Sequence, residues 1–199
     1  MMQARKEFAL RATPRTGGLG AAAGVFTSLA LFAFIGVGCA TAQEAATMSM
    51  TVTSTAFQEG GSIPVQYTCK GAGISPPLAW SGVPEGAKSL ALIVDDPDAP
   101  MGTWVHWVLF NIPPKSPGLP EAVPAGAALA DGTVQAIGSS RQNRFQGPCP
   151  PSGTHRYFFK LYALDAMLPL GAQTSKQALL DAIKGHVLAQ GELMGRFSK

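Results

Sequence analysis

Charge is scarce in this sequence: only 14% of its 199 residues are Asp, Glu, Lys or Arg. With 15 basic residues against 12 acidic ones and no basic cluster, the excess of +3 offers no footprint for nucleic acid. Cysteine is scarcer still, and three are too few for a disulfide scaffold. No long Ala/Leu/Glu/Lys periodicity is present, which argues against a helical bundle. There is no internal repeat, no Gly-x-Ser-x-Gly elbow and no phosphate-binding glycine loop. Close ligand spacings such as His-x-Glu or Cys-x-x-Cys are also missing, so a metal site has little support. What is plentiful is apolar side chains, at 46%, together with 23 Gly and 16 Pro. That is core enough to exclude a wholly disordered chain, and it points to one turn-rich β domain.

The first 42 residues differ from the rest. Arg5, Lys6, Arg11 and Arg15 form a basic start, residues 16–43 carry no charge, and 21–38 are mostly apolar. Ala40-Thr-Ala42 then supplies the small-x-small pattern at which leader peptidase cuts. Residues 1–42 are therefore expected to be a secretory signal peptide, with export to the periplasm. Two alternatives stay open: lipid modification at Cys39, and an uncleaved apolar anchor. Four of the 15 basic residues and one of the 12 acidic residues fall in this segment, so residues 43–199 carry eleven of each sign. The basic excess belongs to the leader.

Residues 43–199 are expected to form a single mainly β (α+β) domain. Period-two alternation marks 50–55 and 63–68, and a short buried-strand run spans 88–95. The strongest strand candidates are 103–111 and 156–164, rich in aromatic and β-branched residues. Thr174-Ser-Lys-Gln177 reads as a capping box ahead of a helix over 178–183. Gly185 is expected to interrupt that helix before a second helical piece over 186–194.

Three segments concentrate polar groups among stiff neighbours: Asp95-Asp-Pro-Asp-Ala-Pro100, Gly102-Thr-Trp-Val-His-Trp-Val108 and Gly147-Pro-Cys-Pro-Pro-Ser-Gly-Thr-His-Arg-Tyr157. Counting by two places Trp104, His106, Val108 and Phe110 on one face, and His155, Tyr157, Phe159 and Leu161 on another. Asp96 and Asp98 share a direction if the extended course runs through Pro97. His106 and His155 read either as satisfied core residues or as members of a small cavity. In the second case two imidazoles and a phenol can donate hydrogen bonds to a phosphate or carboxylate. A carboxylate behind an imidazole fixes its tautomer and favours its charged form. Ser152 lies near His155 without marks of an activated nucleophile, and His186 reads as structural or solvated. Cys69 and Cys149 are either bridged, as an oxidising compartment allows, or two free buried thiols.

Taken in order, Tyr67-Thr-Cys, Ser75-Pro-Pro-Leu-Ala-Trp80, Asp96-Pro-Asp-Ala-Pro100, His106-Trp-Val, Gly147-Pro-Cys-Pro-Pro151, His155-Arg-Tyr157, Gly185-His-Val-Leu-Ala189 and Gly195-Arg-Phe197 resemble the phosphatidylethanolamine-binding protein family. The likeness is to its bacterial branch of Raf-kinase-inhibitor-like proteins. It implies a large central antiparallel sheet with a smaller sheet and a C-terminal helix packed around it. It also implies an anion pocket for phosphate or phosphorylethanolamine head groups, lined by Asp96, Asp98, Trp104, His106, Pro150, His155 and Tyr157. No cofactor, metal or catalytic residue is implied, and a homodimer is. A short connection from Pro-Pro to His155 and a bacterial C-terminal portion depart from eukaryotic members, so kinase regulation does not carry over. The functions weighed are an exported non-enzymatic binding protein, an inhibitor or modulator of a protease or signalling partner, and a hydrolase using His106 or His155 as general base.

Overall fold

A computed structural model describes residues 48–199. The leader, its boundary at Ala42 and Cys39 lie outside the described residues.

Among the described residues, nine strands form two sheets. The strands are β1 (Met48–Ser49), β2 (Thr51–Thr53), β3 (Leu78–Ser81), β4 (Ser89–Asp96), β5 (Trp104–Ile112), β6 (Gly118–Leu119), β7 (Val134–Ala136), β8 (Thr154–Leu164) and β9 (Val187–Ser198), with one helix, α1 (Lys176–Ile183). The large sheet has the order β1-β9-β8-β4-β5-β7 and the small one β2-β3-β6. All pairs are antiparallel except β1 with β9. The expected architecture is therefore present, with one parallel edge pair.

Covering both faces of the large sheet makes its middle dry. On one face Leu90, Leu92, Val94, Trp107, Leu109, Tyr157, Phe159 and Leu161 pack with Val52, Leu78, Trp80 and Leu119 of the small sheet. On the other, Ala91, Ile93, Val108 and Phe110 pack with Leu168 and with Leu179 and Ile183 of α1. Strand β4 is buried along its whole length, which explains its unbroken apolar run.

Three expectations change. The stretch 63–68 is not a strand: Ser62 makes a single bridge to Arg196 and a 3-10 turn follows at Val65–Tyr67. Pro64, with φ −60, stands at its start and cannot donate a ladder hydrogen bond. The second helical piece is a strand instead. Lys184 ends α1, Gly185 turns the chain at φ +82, and β9 then pairs along all of β8. Its burial alternates, with Ala189, Leu193, Gly195 and Phe197 inside and Gln190, Glu192, Arg196 and Ser198 outside. Finally, the helix cap is Ser175, whose Oγ accepts from Ala178 N at 3.2 Å, one residue later than the capping box predicts.

Candidate functional site

In an antiparallel sheet ordered β8-β4-β5, the end of β4 and the beginnings of β5 and β8 meet at one edge. Asp96, Trp104, His106 and His155 all sit at those termini. Side-chain direction there depends on a β-bulge. Val94 pairs with Trp107 and Asp95 with Val105, which leaves His106 as the extra residue on β5. An uninterrupted strand aligns His106 with Val108 and Phe110, but those two lie on the helix-covered face. The bulge re-aims His106 to the opposite face, edge-on to Tyr157 with ring centroids 5.2 Å apart. The face deduced from parity is thus corrected for β5. For β8 it holds: Tyr157, Phe159 and Leu161 share one cluster.

The loop 137–153 seals the bulge. Ser139 N donates to Val105 O, Val105 N to Ser139 Oγ, and Gln146 N to His106 O. Gly138 permits this approach, since a Cβ there would lie 2.6 Å from Val105 O. Farther on, Gly147 lies against Tyr67, where a Cβ would come within 2.6 Å of the carbonyl oxygen. The disulfide Cys69–Cys149 joins the same two segments, with Cα atoms 5.4 Å apart. The bridged alternative is the one found.

These elements enclose a cavity of about 510 Å³. Asp96, His106 and His155 form its polar wall with Trp104 beside them; the turn from Ala99 to Thr103 forms another; Gln146, Cys149 and Pro151 close it. Both histidines are nearly buried, and each has Nδ1 engaged. His155 Nδ1 is 2.7 Å from Asp96 Oδ2, and His106 Nδ1 is 2.7 Å from the Gln146 carbonyl oxygen. The second oxygen of Asp96 accepts from Asp98 N at 2.8 Å. Trp104 Nε1 donates to Gln146 Oε1 at 3.2 Å. Burial pushes the His106 imidazole below its ordinary pKa; the Gln146 carbonyl and the Asp96 and Asp95 charges pull the other way. Tyr157 has its phenol pushed up, by burial first and then by Asp96 and Asp98. His106 Nε2 and the Tyr157 hydroxyl are buried without a hydrogen-bond partner among the described residues.

Four expected site residues meet at the cavity wall: Asp96, Trp104, His106 and His155. Tyr157 lies behind them, fully buried against the His106 ring. Asp98 is elsewhere, because the strand ends at Asp96 and the chain turns through Pro97. Its carboxylate takes Arg156 N, Nε and Nη2 at 2.9, 2.9 and 2.6 Å. Those bonds hold its pKa down at about 2 despite some desolvation. Pro150 is buried, and its neighbour Pro151 supplies the wall. Ser152 makes no hydrogen bond with either imidazole, and His186 pairs with Asp165 at 2.7 Å far along the chain from these loops. Sequence reasoning missed Gln146 and Ser139. Their part is played by a backbone carbonyl and a bulge-sealing hydroxyl, which no residue pattern announces. Among the described residues no group of three or more His, Cys, Asp and Glu is placed to hold a metal.

Fold and site define a class: a two-sheet β protein with a histidine-walled cavity at the end of its central strands. A model of the family described as phosphatidylethanolamine-binding protein matches residues 53–198. A UPF0098 protein of Methanothermobacter thermautotrophicus is 55% identical over 150 residues, 75% of this chain and 99% of that one. A UPF0098 protein of Chlamydia muridarum is 45% identical over 155 residues, with 75% and 99% covered. The crystal structure of CT736, a phosphatidylethanolamine-binding protein homolog from Chlamydia trachomatis, matches with TM-score 0.71 and 42% identity, covering 77% of this chain and 99% of that one. Escherichia coli YbcL, described as a member of the mammalian PEBP family, gives 0.70 and 32%, covering 76% and 99%. The chain belongs to the phosphatidylethanolamine-binding protein family.

Proposed function

We propose that residues 43–199 form an exported, non-enzymatic binding domain whose cavity takes a small phosphate-like anion, with residues 1–42 serving as the export signal. The observation that carries this reading is the pair of imidazoles lining one cavity wall, each oriented through Nδ1 by a fixed acceptor. Asp96, Trp104, His106 and His155 are the contact residues, Tyr157 backs His106, and Asp98 holds the turn that forms one wall. The walls are stiffened by prolines and by the disulfide, which keeps the ordering cost of binding small. A bridged Cys69–Cys149 pair also suits an oxidising compartment. Against a hydrolase stands the lack of an activated nucleophile among the described residues: Ser152 makes no hydrogen bond with either imidazole, and Cys149 is consumed in the disulfide.

Titration with inorganic phosphate, followed through the imidazole NMR signals, tests the reading. Shifts of both His106 and His155 at millimolar phosphate are expected; unmoved signals overturn it.

A second reading, modulation of a partner protein, draws on the rim. Met101 is 99% exposed and Trp104 39%, both beside the cavity mouth. It requires a periplasmic protein that binds the wild type and is lost with Met101→Asp.

A further inference from the structure

Granted the anion-cavity reading, on which this inference rests, the surroundings of the cavity bear on what else its ligand carries. A cavity of about 510 Å³ is of the size that holds a whole small molecule, so a phosphate group fills only part of it. A second cavity, of about 560 Å³, adjoins it between the turn 137–141, the start of β5 and the start of α1. Thr103 and Ser139 line both cavities. The divider is thus two short side chains, both of them exposed. Ser139 Oγ accepts from Val105 N at 2.9 Å, which fixes the oxygen and leaves its own O–H to donate. Val105 and Ile137, both half-buried, add apolar surface on the second side.

Arg141 lines the second cavity and not the first. It is exposed and forms no ion pair among the described residues. The other cation there, Lys176, has its charge offset by Asp95, and no acidic side chain lines the second cavity. Arg141 therefore supplies its uncompensated positive charge. The Arg141 backbone is left-handed, with φ +58, a conformation that suits Gly or Asn better than a long side chain. The strain is tolerated at the one position where a guanidinium reaches this cavity.

We propose that the two cavities form one extended cleft for a phosphoester whose alcohol portion carries a second acidic group. The phosphate occupies the histidine-walled cavity, the chain crosses Thr103 and Ser139, and the distal acid pairs with Arg141. Arg141 is thereby a specificity-determining residue, acting on the part of the ligand that lies away from the histidines.

Calorimetric titration of the full chain with butyl, hexyl, octyl and decyl phosphate, as monoesters and as methyl diesters, sets the reference. Each is compared with the counterpart whose chain ends in a carboxylate. The carboxylate is expected to raise affinity roughly three- to fivefold once the chain is long enough to cross the divider, the upper range for an exposed ion pair. Shorter chains are expected to gain less, and the gain to shrink in about 1 M NaCl, where charges are screened beyond roughly 3 Å. Arg141→Asn suits the left-handed backbone, so it is expected to melt no lower than wild type. It is also expected to bind the plain phosphates unchanged and to lose the carboxylate gain.

Plain phosphates that bind while no carboxylate adds affinity overturn the inference and leave the anion reading standing. A gain that persists undiminished in Arg141→Asn also overturns it, because another group then receives the acid. A variant that melts lower and binds the plain phosphates more weakly assigns Arg141 to holding the turn, with the same consequence. Failure of every phosphate in both series removes the anion reading, and the inference falls with it.

Discussion

At the scale of single residues, two nearby acidic positions diverge because of one proline. Asp96 closes β4 and holds His155 Nδ1, whereas Asp98, beyond Pro97, leaves the cavity and grips Arg156 through three bonds. Arg156 keeps the Asp98 pKa at about 2, below the ordinary 3.8. A carboxyl with a depressed native pKa contributes stability above its unfolded value, and that contribution is lost as pH falls through the native one. Asp98→Asn is therefore expected to lower the urea midpoint at pH 7, with the gap to wild type closing between pH 4 and 2. An equal gap at pH 7 and pH 2 would assign the effect to packing. His106 shifts in the same sense for another reason. Its imidazole is buried, so the unfolded chain binds that proton more readily below the ordinary value of 6.5, and stability declines as pH drops from there.

At the scale of elements, α1 is fastened to the large sheet by charge as well as by apolar contact. Asp95 is fully buried on the helix side, and Lys160 of β8 meets it at 2.9 Å while Lys176 of α1 meets its other oxygen. Each lysine keeps part of its side chain in solvent, so the carboxylate bears most of the desolvation. Replacing one lysine leaves the other. Replacing both, Lys160→Met with Lys176→Met, strands a buried charge and is expected to cost roughly 3–5 kcal/mol in urea unfolding. The single variants are each expected to cost less than half of that. Additive single costs would show that the lysines act independently of the shared carboxylate.

At the scale of the whole molecule, the disulfide ties residues 80 positions apart and places Cys149 in the cavity wall. In the chain-entropy model a closed loop of that length contributes roughly 4–5 kcal/mol. The variant Cys69→Ala, Cys149→Ala is expected to melt roughly 10–18 °C lower in a domain of this size, with the same far-UV spectrum. An unchanged melting temperature would mean that the bridge does not constrain the unfolded chain. The charge balance acts at this scale too. Eleven charges of each sign over residues 43–199 leave no net charge to draw an anion in, so the proposed anion binding relies on the cavity's own hydrogen-bond geometry.

The sequence by itself determined the β-rich class, the buried central strand over 88–95 and four residues of the cavity wall, Asp96, Trp104, His106 and His155. Runs of apolar and β-branched residues ended by Asp-Pro or by Gly-Pro carry that information locally. The alternation of β9, with Ala189, Leu193, Gly195 and Phe197 buried, was also legible, but Ala, Leu and Met there fit a helical pattern as well. Only the partner strand decided the matter, because β8 has a free ladder that residues 187–198 complete along its length. The face of His106 was likewise beyond local rules. Parity assumes an unbroken strand, and the bulge appears only when the register of β5 against β4 is fixed. That register, and the Gln146 carbonyl that orients the His106 ring, are long-range pairings between segments distant in the chain. Tertiary structure alone brings them together.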